Sequence, residues 1–130
     1  KGVDIDLNAT PDALPALAVT GCFAKGTTRL VNVAQARIKE TDRIRVMHEV
    51  ITALGGRAEE LPDGLVIHGD GLRGGKAPGH ADHRVVMACG VAGLAADRPV
   101  EVDTAEAMNI TFPSFVDLMT RCGARMSTRE

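Results

Sequence analysis

Apolar positions in the first part of the chain follow a strand period and then form a helical run. Residues 3–7 alternate apolar and polar side chains, which predicts a short strand. The apolar stretch 13–24 predicts a helix, and Asp12 stands where the N-cap of that helix would lie. Residues 29–33 then predict a second strand, which follows the break at Gly26.

A second helix and a pair of strands come next. The apolar face of this helix is formed by Ile44, Met47, Val50, Ile51 and Leu54. Two adjacent glycines end the helix. Residues 57–60 and 65–68 predict two strands, because a Pro-Asp-Gly turn separates them. The glycine-rich stretch 69–79 predicts a flexible connection.

The pattern then begins again. Asp82 is in position to cap an apolar helix that runs to about residue 96, residues 99–102 predict a strand, and a last helix starts near Thr111 and Pro113. The sequence therefore predicts an α/β fold of repeated βαβαββ units, about 1–70 and 76–130, with the second unit incomplete. Because such a unit needs neighbours to cover its sheet, we expect further units elsewhere in the protein.

Composition narrows the class of protein. The 130 residues suit one domain, with 45% hydrophobic and 25% charged residues and a net charge of −2. Three Phe, no Tyr and no Trp leave few rings on which bases could stack, so a nucleic-acid partner is not expected. The lack of a long apolar run also argues against a membrane protein. The three cysteines, Cys22, Cys89 and Cys122, are predicted to be reduced and buried, which favours the cytoplasm.

The most chemically informative stretch precedes the second helix. Lys39, Glu40 and Arg43 lie together around the start of this helix, where Thr41 or Asp42 can provide the cap. The positive end of the helix dipole and the two cations favour bound anions. Glu40 becomes a usable acid if desolvation opposes its ionisation. An ordinary salt-bridged helix start would show the same residues.

Two further positions could join such a site. Asp82-His83-Arg84 again places an arginine at a helix start, where an anion would meet free backbone N–H groups. Asp12 follows the turn after the first strand. From the local sequence alone, a cap with a surface ion pair accounts for Asp82-His83-Arg84, and a simple N-cap accounts for Asp12.

Taken in order, these motifs resemble those of one enzyme family, the 5-enolpyruvylshikimate-3-phosphate (EPSP) synthases. The resemblance extends over essentially the whole chain, and the Lys-Glu-Thr-Asp-Arg run is its most specific element. It rests on Asp6…Asn8-x-x-Pro11-Asp12, Lys39-Glu40-Thr41-Asp42-Arg43-Ile44, Asp82-His83-Arg84-x-x-Met87 and Thr111-Phe112-Pro113-x-Phe115.

The resemblance implies an activity and a role for each matching residue. Members transfer the enolpyruvyl group of phosphoenolpyruvate to the 5-hydroxyl of shikimate 3-phosphate, in the biosynthesis of chorismate and aromatic amino acids. By analogy, Asp12 is the proton acceptor at the shikimate hydroxyls and Glu40 the proton donor. Lys39 would bind shikimate 3-phosphate, while Arg43 and Arg84 would bind phosphoenolpyruvate. His83 would support the site beside Arg84.

The resemblance also implies how this chain relates to a whole enzyme. It corresponds to part of a C-terminal domain, whose three βαβαββ units surround a pseudo-threefold axis, and the N-terminal domain is absent. We therefore expect the isolated chain to be inactive and the whole enzyme to be a monomer that needs no cofactor or metal. The family's phosphate-binding lysine before Thr-Phe-Pro has no counterpart, because residues 106–110 contain no lysine.

Several other readings of the sequence remain open or are set aside. A related enolpyruvyl transferase that acts on a UDP-sugar is one alternative, and a non-catalytic module that binds anions is another. Residues 69–74 match G-x-G-x-x-G, but the following glycines and proline cannot open the helix that a dinucleotide site needs. His80, Asp82 and His83 do not have the spacing of a helical metal site.

Overall fold

The computed structural model describes residues 1–129, which form strands, α-helices and short 3-10 helices. The six strands in this range are β1 (Asp4–Asp6), β2 (Thr27–Val31), β3 (Arg57–Leu61), β4 (Gly64–His68), β5 (Gly75–Ala77) and β6 (Val100–Val102). The four α-helices are α1 (Leu14–Phe23), α2 (Arg43–Ala53), α3 (His83–Ala92) and α4 (Phe115–Arg121). Short 3-10 helices occupy Pro11–Ala13, Ala34–Ile38 and Ala105–Ile110.

The strands form two sheets with different strand orders. In the larger sheet the order is β1-β2-β4-β3, with β1 parallel to β2 and with β4 antiparallel to both of its neighbours. The smaller sheet is the parallel pair β5-β6. A parallel pair needs a crossover connection, which α1 supplies between β1 and β2 and which α3 supplies between β5 and β6.

The predicted α/β class is confirmed. The first part of the chain has the order βαβαββ, and β5, α3, β6 and α4 follow in the order of its first four elements. The grouping of these elements into repeated units of a larger domain stays a prediction.

The core lies between the larger sheet and the helices. Helix α1 packs on β4 and on α3, which explains why it is apolar on most of its circumference. Gly21 permits this close approach, because a Cβ atom there would lie 3.2 Å from the Cβ of Thr28 and 3.4 Å from that of Ile67. A smaller apolar cluster joins α3 and α4 through Val86, Met108 and Phe115.

Several predicted boundaries are wrong by a few residues. The second strand ends at Val31, because Asn32 adopts a positive φ of 57° that an extended strand excludes. Helix α3 ends at Ala92, followed by turns, and α4 begins at Phe115 rather than near Thr111. The region predicted as a flexible connection contains β5, which gains backbone partners on β6.

The cysteine prediction is correct for two residues of three. Cys22 and Cys89 are buried free thiols, and burial raises the pKa of each to about 12. Cys122, which was predicted to be buried, is exposed because it follows the last turn of α4. Among residues 1–129, no helix combines the length and the apolar character that crossing a bilayer requires.

A buried ion pair connects the starts of α2 and α3. The guanidinium of Arg43 donates from Nε to Asp82 Oδ2 at 2.9 Å and from Nη2 to Asp82 Oδ1 at 3.0 Å. Arg43 is 1% exposed and Asp82 is fully buried. Burial alone would raise the pKa of Asp82, but hydrogen bonds from Arg43 and Thr41 outweigh it and hold that pKa below its ordinary value.

Replacing Asp82 should destabilise the fold through the charge left on Arg43. We expect Asp82→Asn to lower the free energy of unfolding by about 3 kcal/mol, because it removes the buried carboxylate that pairs with the Arg43 guanidinium. Chemical denaturation at neutral pH measures this difference. The control is Asp117→Asn, because Asp117 is 70% exposed and pairs with Arg121 on the surface of α4. This variant should lose less than about 0.5 kcal/mol.

The effect of Asp82→Asn should depend on pH. The folded-state pKa of Asp82 is lowered, so its stabilising contribution is complete above the unfolded pKa, about 3.9, and declines as the pH falls through the folded pKa. The difference in unfolding free energy between the unmodified chain and Asp82→Asn should therefore shrink below about pH 4. A difference that stayed constant from pH 7 to pH 2 would contradict this account.

Candidate functional site

Two helix starts and one turn bring the predicted site residues together. The loop 39–41 runs from the 3-10 helix Ala34–Ile38 into α2, whose N-cap Asp42 accepts a hydrogen bond from the Arg45 amide at 3.1 Å. At the start of α3, Asp82 is the N-cap and accepts from the Arg84 amide at 3.0 Å. Both predicted caps are present, and each is typical of a helix start.

Arg43 lies at the centre of this group. Besides its two bonds to Asp82, it donates from Nη1 to Asp12 Oδ1 at 3.1 Å and from Nη2 to Glu40 Oε2. Burial by itself would lower the pKa of Arg43, but the bonds to Asp82 and the charges of Glu40 and Asp12 raise it above its ordinary value. Arg43 is therefore a permanent cation that three carboxylates surround.

Asp12 has a different local role from the one predicted. It lies inside the 3-10 helix Pro11–Ala13, and α1 begins after Ala13 without any side-chain cap. The cap prediction is wrong because Pro15, early in α1, has no N–H to offer, while Arg43 attracts the carboxylate toward α2. The Asp12 carboxylate consequently points into the cluster.

The remaining predicted residues surround Asp12 and Glu40 at longer range. Lys39 Nζ lies 3.6 Å from Asp12 Oδ1, and Arg84 Nη2 lies 3.6 Å from Asp12 Oδ2. His83 Nδ1 lies 3.6 Å from Glu40 Oε2. Distances of this length are ion pairs without a hydrogen bond, so the two cationic groups can still turn toward another anion.

The charge cluster has a buried part and an exposed rim. Arg43 and Asp82 are buried, whereas the rim side chains Asp12, Glu40 and Arg84 are 48%, 51% and 40% exposed. The rim is thus an open surface of mixed charge. A cavity of about 1070 Å³ lies elsewhere, against α3 and β6, and none of these residues lines it.

The donor set suits an anionic ligand better than a metal ion. Glu40, Asp82 and His83 could each offer a ligand atom within 4.8 Å of the others. Both carboxylates already accept hydrogen bonds from Arg43, and a metal cation there would be repelled by that guanidinium. Lys39 and Arg84 on the rim instead present positive charge toward solvent.

Two residues that hold this arrangement were not predicted to do so. Asp82 was predicted as a cap, but it also compensates the charge of Arg43 and accepts a hydrogen bond from Thr41 Oγ1 at 2.8 Å. The side chain of Gln35 donates to the Asn8 carbonyl at 2.9 Å and joins the 3-10 helix Ala34–Ile38 to the turn before Asp12. These partners are distant in sequence, so the local sequence pattern does not identify them.

A family model and individual relatives match this chain. The model described as EPSP synthase (3-phosphoshikimate 1-carboxyvinyltransferase) matches residues 1–119. A 3-phosphoshikimate 1-carboxyvinyltransferase of Acetivibrio thermocellus is 59% identical over 129 residues, which are 99% of this chain and 30% of the relative. The protein of the same name from Ruminiclostridium cellulolyticum is 55% identical over 97% of this chain and 30% of its own length.

A solved structure of an EPSP synthase has the same fold as this chain. An EPSP synthase from Acinetobacter baumannii superimposes with a TM-score of 0.88 and 33% identity, over 95% of this chain and 30% of that protein. This chain thus spans about 30% of the length of the relatives it matches. The match in sequence extends over nearly the whole chain, and the fold agrees with it. The chain therefore belongs to the EPSP synthase (3-phosphoshikimate 1-carboxyvinyltransferase) family.

Proposed function

We propose that these 130 residues are part of a longer protein that transfers the enolpyruvyl group of phosphoenolpyruvate to the 5-hydroxyl of shikimate 3-phosphate. The products are 5-enolpyruvylshikimate 3-phosphate and phosphate. Within the family assignment, one observation carries the proposal. Asp12 and Glu40 share an open surface with Lys39 and Arg84, and both contact the buried Arg43. Two carboxylates and three cations suit proton transfer between substrates that are themselves anionic.

In the proposed reaction one carboxyl group accepts a proton and the other donates one. Asp12 accepts the proton of the 5-hydroxyl while the oxygen bonds to the central carbon of phosphoenolpyruvate. Glu40, in its acid form, donates a proton to the methylene carbon of phosphoenolpyruvate, and a tetrahedral intermediate forms. The Glu40 carboxylate then takes a proton back from the new methyl group, and the C–O bond to phosphate breaks with its electrons leaving on phosphate. Phosphate carries away the proton that Asp12 had accepted, and the restored double bond gives the product. Each carboxylate is half-exposed and can reach a ligand above the surface.

The three cations have distinct places in this scheme. Lys39 would bind shikimate 3-phosphate, and Arg84 and Arg43 would bind phosphoenolpyruvate. Arg43 is buried and already bonded to Asp12 and Glu40, so a bound carboxylate or phosphate competes with these residues for its Nη atoms. Binding of phosphoenolpyruvate would thereby release Asp12 and Glu40 for proton transfer.

His83 would assist the proton donor. Its ring is nearly buried, and Nδ1 faces the Glu40 carboxylate at 3.6 Å. In this position it limits the directions that the Glu40 side chain can take. We assign His83, beside Arg84, a supporting contact with the anionic groups of the substrates.

The open surface is the reason to propose a second protein wall. Exposed ion pairs are weakened by water, and their interactions strengthen when a site is closed and dry. We propose that these residues form part of a C-terminal domain, with units at about 1–70 and 76–130, and that an N-terminal domain covers the site. Free buried thiols at Cys22 and Cys89 support a cytoplasmic location, and the family resemblance supports a monomeric whole protein.

The first prediction concerns the proton donor. In the longer protein, Glu40→Gln should lower kcat by about 10²–10⁴-fold, because an amide keeps the shape of the side chain but cannot donate the proton. Steady-state phosphate release measures this change. The control is Glu59→Gln on β3, since Glu59 pairs with His68 rather than with the cluster. Unchanged turnover in Glu40→Gln would refute the acid role.

The second prediction concerns the substrate. Isothermal titration of the longer protein with shikimate 3-phosphate should give saturable binding, and titration with a UDP-sugar should give none. Lys39→Met should weaken the binding of shikimate 3-phosphate at least about tenfold, because a charged hydrogen bond contributes about 1.5–3 kcal/mol. Binding of the UDP-sugar alone would assign the protein to cell-wall chemistry instead, and binding of neither would favour a non-catalytic anion-binding module.

The third prediction separates the segment from the whole. The isolated 130-residue chain should release no phosphate from the two substrates, because its site is open to water on one side. A chimera in which this segment replaces the matching 129 residues of the Acetivibrio thermocellus relative should release phosphate. Activity of the isolated chain would remove the need for a second wall. An inactive but folded chimera would contradict the proposed function of the segment.

A further inference from the structure

Arg37 makes a set of contacts that the proposed reaction does not use. It lies near the end of the 3-10 helix Ala34–Ile38, two residues before Lys39. Its Nε donates to the Pro62 carbonyl at 2.8 Å, and its Nη2 donates to the Leu61 carbonyl at 2.7 Å. Its Nη1 donates to Glu60 Oε1 at 2.8 Å. One guanidinium therefore binds the end of β3 and the turn that follows it.

The same guanidinium also contacts the start of α2. Arg37 Nη1 donates to both carboxylate oxygens of Asp42, at 2.9 and 3.2 Å. Asp42 simultaneously caps α2 through the Arg45 amide. The contact between Arg37 and Asp42 closes a ring around residues 38–41, and the hairpin of β3 and β4 fixes that ring to the sheet.

Residues 39–41, inside this ring of contacts, have no regular secondary structure to fix their positions. Lys39 and Glu40 are exposed. Lys39 makes one ion pair at 3.6 Å, too long for a hydrogen bond. Glu40 is also held through its side chain by Arg43, but the backbone position of both residues depends on where the two ends of this short loop are held.

These contacts differ from those of an ordinary surface ion pair. An exposed pair between two flexible side chains contributes little, because it orders both chains for a small gain. Arg37 instead donates to two backbone carbonyls, whose positions the hairpin fixes, and its side chain is only 27% exposed. A planar guanidinium can satisfy four acceptors at once, which an ammonium group cannot.

We propose that Arg37 is a positioning residue, which fixes the loop 38–41 so that Glu40 and Lys39 meet the substrates in the productive geometry. It touches neither substrate itself. The inference rests on the proposed function, since the productive geometry is that of enolpyruvyl transfer. Its consequence is that a residue outside the charge cluster controls turnover.

The test compares two arginines in the longer protein. Arg37→Gln and Arg37→Lys should each lower kcat/KM for phosphate release by about 10²-fold, because displacing a catalytic group by about 1 Å can have that effect. Most of the loss should be in kcat, since Glu40 acts on the chemical step. Arg57→Gln is the matched control, because Arg57 is on β3 and pairs with the exposed Asp70. It should leave kcat unchanged.

A second variant distinguishes loss of the contact between Arg37 and Asp42 from a general loss of stability. Asp42→Asn keeps a good N-cap for α2 but removes the charge that Arg37 contacts. It should lower kcat in the same direction and by less. The double variant with Arg37→Gln should be no slower than Arg37→Gln alone, because both changes break one contact. Additive losses would contradict a shared anchor.

Amide hydrogen exchange separates this inference from the proposed function. Residues 38–41 should exchange faster in Arg37→Gln than in Arg57→Gln, with equal melting temperatures. Unchanged exchange, or a normal kcat in folded Arg37→Gln, would overturn the positioning role. An unmodified protein without transferase activity would overturn the proposed function and the catalytic part of this inference, whereas faster exchange would still support the structural anchor.

Discussion

The structure depends on the compensation of one buried cation. Arg43 is almost completely removed from water, and a charge in that position is tolerated only where carboxylates surround it. Asp82 comes from the start of α3, Glu40 from the loop before α2, and Asp12 from the 3-10 helix that precedes α1. The requirement to satisfy this guanidinium therefore fixes the relative positions of three segments that are distant in sequence.

The same requirement gives the surface its chemical character. Arg43 donates from Nε and Nη2 to the buried Asp82, and from Nη1 and Nη2 to the half-exposed Asp12 and Glu40 on the rim. Under the proposed function, an anion that approaches the rim meets Lys39 and Arg84 first and then competes with Asp12 and Glu40 for Arg43. Stabilisation of the fold and recognition of an anion would then use one side chain, which would link ligand binding to the freedom of the two rim carboxylates.

The sequence predicted the elements well and their long-range partners poorly. Periodicity reports which side of a segment is buried, so α2, with its buried Ile44 and Met47, was predicted within a residue or two. A capping motif in the sequence predicts only the first turn of a helix. The prediction for Asp12 was wrong because Arg43, distant in sequence, attracts its carboxylate more strongly than the start of α1, which contains a proline. The residues of the charge cluster were identifiable by resemblance to a family, whereas the pairing of Arg43 with Asp82 arises only from tertiary packing.

Arg37 and Arg43, on either side of the Lys-Glu-Thr-Asp run, hold the run through different contacts. Arg43 anchors the run from below, through a buried ion pair, and Arg37 anchors it from the side, through backbone carbonyls and the cap of α2. Arginine suits both positions because its donors point in fixed directions within one plane. Because both ends of the loop are held in this way, Lys39 needs only a long ion pair to Asp12, whereas the half-exposed Glu40 is directed by its bond to Arg43. Under the proposed function both side chains exchange these partners for substrate, and the anchors on either side of the run keep the backbone in place while they do so.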